Sequence, residues 1–396
     1  MTGVDILLQV GSCDPPFHKY GRSLGSRDRV FRNDRNSHGG GVLLAIKEGL
    51  YPVDKCEFDT DDHEIIWAEF KTRKVKKVIQ NGGFMQSPPD GKVKIYDCEG
   101  VPLTEHFQKP CTIEALKTWQ ARQDDVSVVS YPKAGTTWTQ EIVSAIVNDG
   151  DLDQVNKTHT TFRTPFLEAT FLYSTKDIDV PPTHEIIDKM KSPRTIKSHL
   201  PGHLLPPDVM EKKSRIVYVA RNPKDVAVSY YYFHIGHTTL PRYETWNDFF
   251  EDFYAGKVVY GPWWNHYLYY WKRRHEPNVL FLKFENMKKD LKGIVERIAD
   301  FLGYTFSDAV LDRIVSHCTF ENMKANPMTN PDTLEKMNVK NVESIDSNDM
   351  TPKDRPSFMR TGKVGDWKSH FTVAQNEAMD ALIREKLAGS GLVFEC

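Results

Sequence analysis

From about residue 95 onward the chain alternates short β-rich apolar runs with longer amphipathic ones. Val126-Ser-Val-Val-Ser130 predicts a strand, and Trp138-Thr-Gln-Glu-Ile-Val-Ser-Ala-Ile-Val147 has the apolar spacing of a helix. Arg194-Thr-Ile-Lys197 and Arg215-Ile-Val-Tyr-Val-Ala220 read as short buried strands, with a helix following Asp225. Val279-Leu-Phe-Leu-Lys283 is a further strand, and helices are expected over 291–303 and 308–316. Buried strands separated by helices predict an α/β fold, a central parallel sheet with helices on both faces. Such sheets bind ligands at the carboxyl ends of their strands.

Two stretches lack either period. Residues 71–95 run from Lys71-Thr-Arg-Lys-Val-Lys-Lys77 through Asn81-Gly-Gly83 and Ser87-Pro-Pro-Asp-Gly91, which places a linker at 81–95 and a domain over 96–396. Residues 324–358 are rich in Asn, Asp, Lys, Pro and Met, with no aromatic residue before Phe358, and are expected to form a long solvated lid. In front of the linker, the runs 41–46 and 64–70 are expected to pair as a hairpin.

Composition narrows the partners. With 396 residues, 39% hydrophobic and 27% charged, the chain suits one large α/β domain plus an appendage. Its 52 Lys+Arg against 54 Asp+Glu leave a net charge of −2, so neither nucleic acid nor a membrane is an expected partner. No apolar run approaches the roughly 18 residues of a membrane span. The six cysteines, Cys13, Cys56, Cys98, Cys111, Cys318 and Cys396, include no Cys-x-x-Cys pair, which fits a reducing, cytoplasmic setting.

Four segments carry candidate chemistry, each with an ordinary reading beside it. Ser130-Tyr-Pro-Lys-Ala-Gly-Thr-Thr-Trp138 joins a strand to a helix: Gly135 permits a tight turn, Thr136 and Thr137 add hydroxyls, and Lys133 brings a mobile positive charge. It is a phosphate cradle or a plain turn with a surface lysine, and it lacks the Gly-x-x-x-x-Gly-Lys-Ser/Thr form of nucleotide kinases. Arg221, at a strand end, can fork onto a phosphate or pair with a structural Asp, and Ser229 follows about two helical turns later. In Ile196-Lys-Ser-His-Leu-Pro201, His199 has the chemistry of a general base and Lys197 that of a charge stabiliser. Phe358-Met-Arg-Thr-Gly-Lys-Val-Gly-Asp-Trp367 is either a glycine-rich turn or a strap in which Arg360 and Gly362 close on a phosphate while Asp366 and Trp367 anchor it. His234 and His237 have no ligand cluster beside them, and Tyr230-Tyr-Tyr-Phe233 and Trp263-Trp264 read as core.

Read in order, these segments resemble the cytosolic sulfotransferase family over most of residues 92–396. The family's Tyr-Pro-Lys-x-Gly-Thr-Thr-Trp stands at 131–138, Lys-x-His-Leu-Pro at 197–201, Arg-Asn-Pro-Lys-Asp at 221–225 and Arg-x-Gly-x-x-Gly-Asp-Trp-Lys at 360–368. The resemblance implies a P-loop-like fold and 3′-phosphoadenosine 5′-phosphosulfate (PAPS) as co-substrate, with no metal. Its 5′-phosphosulfate is expected on Lys133, Ala134, Gly135, Thr136, Thr137 and Trp138, and its 3′-phosphate on Arg221, Ser229, Arg360 and Gly362. Trp138, Cys318 and Phe320 are expected around the adenine. Phe284 stands where the family commonly has tyrosine, and Thr361 replaces a common lysine. His199 is the implied base, Lys133 and Lys197 the charge stabilisers, and Phe166 a wall for a phenol, alcohol or amine acceptor. Lys368, Thr372, Val373 and Glu377 match the family's homodimer segment, although Thr372-x-x-Gln375 is also a plain capping box. A donor-binding protein of this fold with little turnover is the alternative.

Residues 1–80 do not belong to that family. Arg29-Val-Phe-Arg-Asn-Asp-Arg35, Gly39-Gly-Gly-Val-Leu-Leu-Ala-Ile46 and Glu64-Ile-Ile-Trp67 resemble an interior piece of a retrotransposon endonuclease of the exonuclease-endonuclease-phosphatase type. That family's metal-binding Asp-x-Asn and terminal Ser-Asp-His motifs are missing, so a non-catalytic fragment is expected. Its 13 Lys+Arg against 12 Asp+Glu form no nucleic-acid stripe.

Overall fold

In the computed structural model, alternate side chains of the strand Arg215–Ala220 enter two separate cores. Ile216, Tyr218 and Ala220 join Val226 and Ala227 of the Pro223–Gly236 helix and Tyr267 and Tyr270 of Trp263–Lys272. Val217 and Val219 join Ile142 and Val143 of Thr136–Val147 and Ile294 and Ile298 of Leu291–Leu302. A strand apolar on both sides needs cover on both sides, and helices supply it. The structure describes residues 93–333 and 356–395, apart from 106, 171–180 and 238, together with five strands before residue 72. Backbone contacts divide the chain into two units, Met1–Asn81 and Gly82–Cys396.

In the larger unit Val279–Lys283, Arg215–Ala220, Val126–Ser130 and Thr195–Ser198 lie side by side in that order, all parallel. The α/β architecture with a central parallel sheet is as the pattern predicts, and the small shifts at element ends have local causes. The helix expected from Trp138 begins at Thr136, because Gly135 at φ 116° turns the chain there. The 194–197 strand moves to Thr195–Ser198, and Arg194 forms a buried pair with Asp125, Nε–Oδ1 2.7 Å and Nη2–Oδ2 2.5 Å. The helix expected after Asp225 already starts at Pro223, where Asn222 accepts the Lys224 N–H at 3.0 Å. The boundary expected at 95/96 also moves, since Ile95 pairs with Thr104 in an antiparallel ribbon.

Two expectations are corrected. The solvated lid does not begin at 324: Phe320–Ala325 is helical, and the following turn buries Thr329 and Asn330. Residues 334–355 lie outside the described ones. In the smaller unit, Gly41–Ile46 does not pair with 64–70. It is the middle strand of an antiparallel sheet between Leu7–Gly11 and Arg29–Asp34, while Tyr51–Pro52 pairs with Phe70–Lys71. With a neighbour on each side, Gly41–Ile46 has no free edge for another strand. Residues 64–69 lie outside the described ones. No helix among the described residues is long and apolar enough to cross a membrane.

Candidate active site

All four strands of the parallel sheet deliver a candidate group at their carboxyl ends: the 131–137 loop after Ser130, His199 after Ser198, Arg221 after Ala220 and Phe284 after Lys283. The loop is built by Lys133 at φ 66° and Gly135 at φ 116°, positive values that turn the chain tightly into the helix N-terminus. A β-carbon on Gly135 would stand 2.9 Å from the Phe284 ring, so glycine also lets the loop lie against that wall. Ser130 Oγ and Thr136 Oγ1 share a 2.5 Å hydrogen bond beneath it, and Ala134 is fully buried.

Lys133 is not a mobile surface charge. Its Nζ lies 3.7 Å from the centre of the Phe358 ring and 4.3 Å from that of Phe233. Burial, followed by the Lys197 charge, lowers its pKa to about 7. Lys197 Nζ rests 4.0 Å over the Phe166 ring, and burial lowers its pKa to about 8. Desolvated ammonium groups of this kind hold their protons most strongly when an anion lies beside them.

His199 is fixed at three points. Its backbone N–H donates to Glu168 Oε1 at 2.7 Å, its carbonyl lies 3.0 Å from His266 Nε2, and its Nδ1 lies 2.7 Å from the Ser130 carbonyl. A carbonyl oxygen can only accept, so Nδ1 carries the proton and Nε2 of the neutral ring keeps its lone pair. Burial, then Lys197, holds the His199 pKa well below 6.5. Phe166 and Tyr260 stand edge-on to the imidazole at 5.1 and 5.6 Å, and Phe107 lies 5.5 Å from Phe166.

Two further cations, Arg221 and Arg360, lie near enough to Lys133 to disfavour its charge. Arg221 is buried, its Nη2 donates to Lys363 O at 2.7 Å, and its Nε has no partner. The ordinary reading of Arg221 is partly present as well, for Asp225 lies 3.7 Å away. Asp225, however, is chiefly occupied with the strap: its two oxygens accept the Gly365 N–H at 2.8 Å and the Trp367 N–H at 3.0 Å. Arg360 is paired with Asp366, stacked 4.6 Å over Tyr232, and has an unpartnered, buried Nε. Lys133, Ser229 and Arg360 line one small cavity together with Tyr232, Phe233 and Phe358.

A slot of rings completes the arrangement. Trp138 meets Phe284 edge-on at 5.4 Å and donates Nε1–H to the Cys318 carbonyl at 2.7 Å. The Arg221 guanidinium lies over the Phe284 ring at 4.4 Å, and Gly362 lies so near Phe320 that a β-carbon would stand 2.5 Å from the ring. Thr137 and Thr361 are half-buried. The structure therefore brings the 133–138 loop, Ser229 and Arg360 together, gathers Lys197, His199 and Phe166, and seats Arg221, Phe284, Cys318, Phe320 and Gly362 around Trp138 or each other. Lys368, Thr372, Val373 and Glu377 are exposed, and Thr372 forms the capping box with Gln375.

Sequence reasoning missed Glu168, the strap-holding role of Asp225, and the aromatic clamps. Tyr232 and Phe233 belong to a run read as core, but their rings face Arg360 and Lys133. His234 is buried with Nδ1 on the Pro241 carbonyl at 2.7 Å, and His237 packs on Phe233. Among the described residues no group of three or more His, Cys, Asp or Glu is placed to hold a metal ion.

The site fits a ligand with two anionic ends and a flat ring. Among the described residues the buried Arg221 and Arg360 Nε atoms lack the partner that such a ligand's anionic end supplies, and the 131–137 turn leads into a helix N-terminus that suits the other. Residues 123–391 match the sulfotransferase domain family. The chain is 39% identical to sulfotransferase 1C2 of Rattus norvegicus over 76% of its own length and 96% of the relative's. It is 40% identical to sulfotransferase 1A1 of Canis lupus familiaris, covering 75% and 94%. Similar solved structures include retinol dehydratase with androsterone and the inactive cofactor PAP, at TM-score 0.67 and 26% identity, covering 81% and 96%. Mouse sulfotransferase SULT7A1 with PAP matches at TM-score 0.58 and 28% identity, covering 75% and 95%.

Proposed function

The chain belongs to the sulfotransferase family and is a PAPS-dependent enzyme, and we propose that His199 is the base that takes the proton from its acceptor. The observation that carries this is the hydrogen bond from Nδ1 to the Ser130 carbonyl, which leaves Nε2 bare. PAPS supplies a sulfuryl group on a phosphate leaving group. The 133–138 loop and Lys197 would hold the phosphosulfate end; Arg221, Ser229, Arg360 and Gly362 would hold the 3′-phosphate; Trp138, Phe284, Cys318 and Phe320 would flank the adenine, with Thr361 beside them. Lys133 and Lys197 keep their protons next to that anion and offset the negative charge that grows on the bridging oxygen. His199 stays neutral across physiological pH, so it can accept a proton without first losing one.

Phe166, with Phe107 and Tyr260, forms an apolar wall beside the imidazole, which suits a phenol, with an alcohol or amine as the other acceptor classes. Exposed Val373, three-quarters accessible at a helix start, supports a homodimer through Lys368, Thr372, Val373 and Glu377. Cys98, Cys111 and Cys318 are free thiols, in keeping with a cytoplasmic setting. Residues 1–80 are read as a non-catalytic extension resembling an endonuclease fragment.

The test is His199→Ala, assayed with PAPS and a panel of phenols, alcohols and amines. Product formation should fall by about 10²–10⁴-fold, with PAP affinity close to wild type. Normal turnover in the variant would refute the assignment.

A further inference from the structure

Glu168 has a side chain shut away from solvent beside the proposed base, and the mechanism above does not use it. Its Oε1 accepts the His199 backbone N–H at 2.7 Å and the Tyr260 hydroxyl at 3.3 Å. Its Oε2 is buried with no hydrogen-bond partner of good geometry among the described residues, and the Ser198 hydroxyl also interacts with the carboxylate. A carboxyl closed off from water either takes a proton or needs a nearby positive charge to stay ionised. The groups facing it are Lys197, Ser198 and His199 from the end of the Thr195–Ser198 strand, Tyr260 from its loop, and Tyr270 from the Trp263–Lys272 helix. Of these only Lys197, and His199 once protonated, bears positive charge.

We propose that Glu168 is the positioning residue and counter-charge of the proton-accepting site. Its carboxylate sets His199 through the backbone N–H and balances the positive charge that the imidazole acquires when an acceptor O–H or N–H proton moves to Nε2. Glu168 takes no proton in that step; the proton remains on Nε2 until it passes to water. The residue acts through His199 and Lys197 and needs no contact with the acceptor. This inference rests on the sulfuryl-transfer reading.

Its signature is a pH dependence. Burial raises the Glu168 carboxyl to about 7, while the His199 N–H, its own backbone N–H, the Ser198 hydroxyl and then Lys197 pull the other way. The counter-charge is therefore present above pH 7 and disappears as the pH falls through that value. At saturating PAPS, kcat of the wild type should fall below pH 7 by up to about tenfold per unit. His199 titrates below this window and does not account for that limb.

Glu168→Gln keeps an oxygen for the His199 N–H and removes only the charge. Its kcat at pH 8 should drop on the order of tenfold or more, the acid limb between pH 6 and 8 should disappear, and PAP affinity by calorimetry should hold. Wild-type kcat, or an unchanged acid limb, in a variant that binds PAP would overturn the proposal. If the Gln variant does not fold, Glu168→Asp decides: an acid limb displaced in pH supports the proposal and one left in place overturns it. Should His199→Ala be inactive while Glu168→Gln behaves as wild type, this proposal fails alone. If the wild type sulfates no acceptor, the underlying reading fails and takes this one with it.

Discussion

Gly362 and Phe320 show what a single position can demand. Gly362 sits at φ 59°, and a β-carbon there would come within 2.5 Å of the Phe320 ring, on the strap that carries Arg360. Gly362→Ala adds backbone strain and overpacking together, each costing about 1–3 kcal/mol. PAP binding by calorimetry should weaken by roughly tenfold or more; wild-type affinity would show that the strap needs no glycine at this point. The motif residues Lys133, His199, Arg221 and Arg360 were legible because their side-chain chemistry states a purpose. Glu168 was not, since a glutamate between Leu167 and Ala169 gives no sign of whether it reaches solvent or a backbone N–H. Tyr232, Phe233 and Phe358 were equally silent, because an aromatic ring reads as core until the structure brings a cation to its face.

At the level of elements, the strands were the most readable part of the chain. Val126–Ser130, Arg215–Ala220 and Val279–Lys283 are bounded as their apolar runs predict, because a parallel strand buried on both sides must be apolar throughout. The strap was only half legible: its glycines and Arg360 stand out, but its anchor lies on another element. Asp366 and Trp367 do not hold it through their own side chains alone; the carboxylate of Asp225, in the first turn of the Pro223–Gly236 helix, receives the Gly365 and Trp367 N–H groups. That helix also carries Ser229 and starts beside Arg221, two of the groups proposed to hold the 3′-phosphate, so one carboxylate ties the strap to it. Asp225→Asn replaces two charge-assisted bonds with weaker ones, a loss of about 1.5–3 kcal/mol. In steady-state assays the KM for PAPS should rise on the order of tenfold, with kcat much less affected. A fall in kcat at unchanged donor KM would assign Asp225 to chemistry instead of donor grip.

Over the whole molecule the net charge of −2 conceals a concentrated positive site. Lys133 and Arg221 follow strand ends, Lys197 lies near the end of its strand and Arg360 lies on the strap, and they disappear in a global sum that acidic residues cancel. All four strand ends belong to Gly82–Cys396, and the family match begins at residue 123, so every residue named for the proposed chemistry lies in the larger unit. The segment proposed to form a homodimer also lies in the larger unit, with Val373 exposed at the start of the Val373–Lys386 helix. A chain beginning at Gly82 should therefore retain kcat and donor KM within roughly twofold, as independent units do. By light scattering it should have twice the mass of one shortened chain, and Val373→Glu should reduce that to a single chain without loss of the active site. A shortened protein that binds PAP but no longer sulfates the acceptors accepted by the full chain would overturn the division, because residues 1–81 would then have to complete the acceptor side of the site.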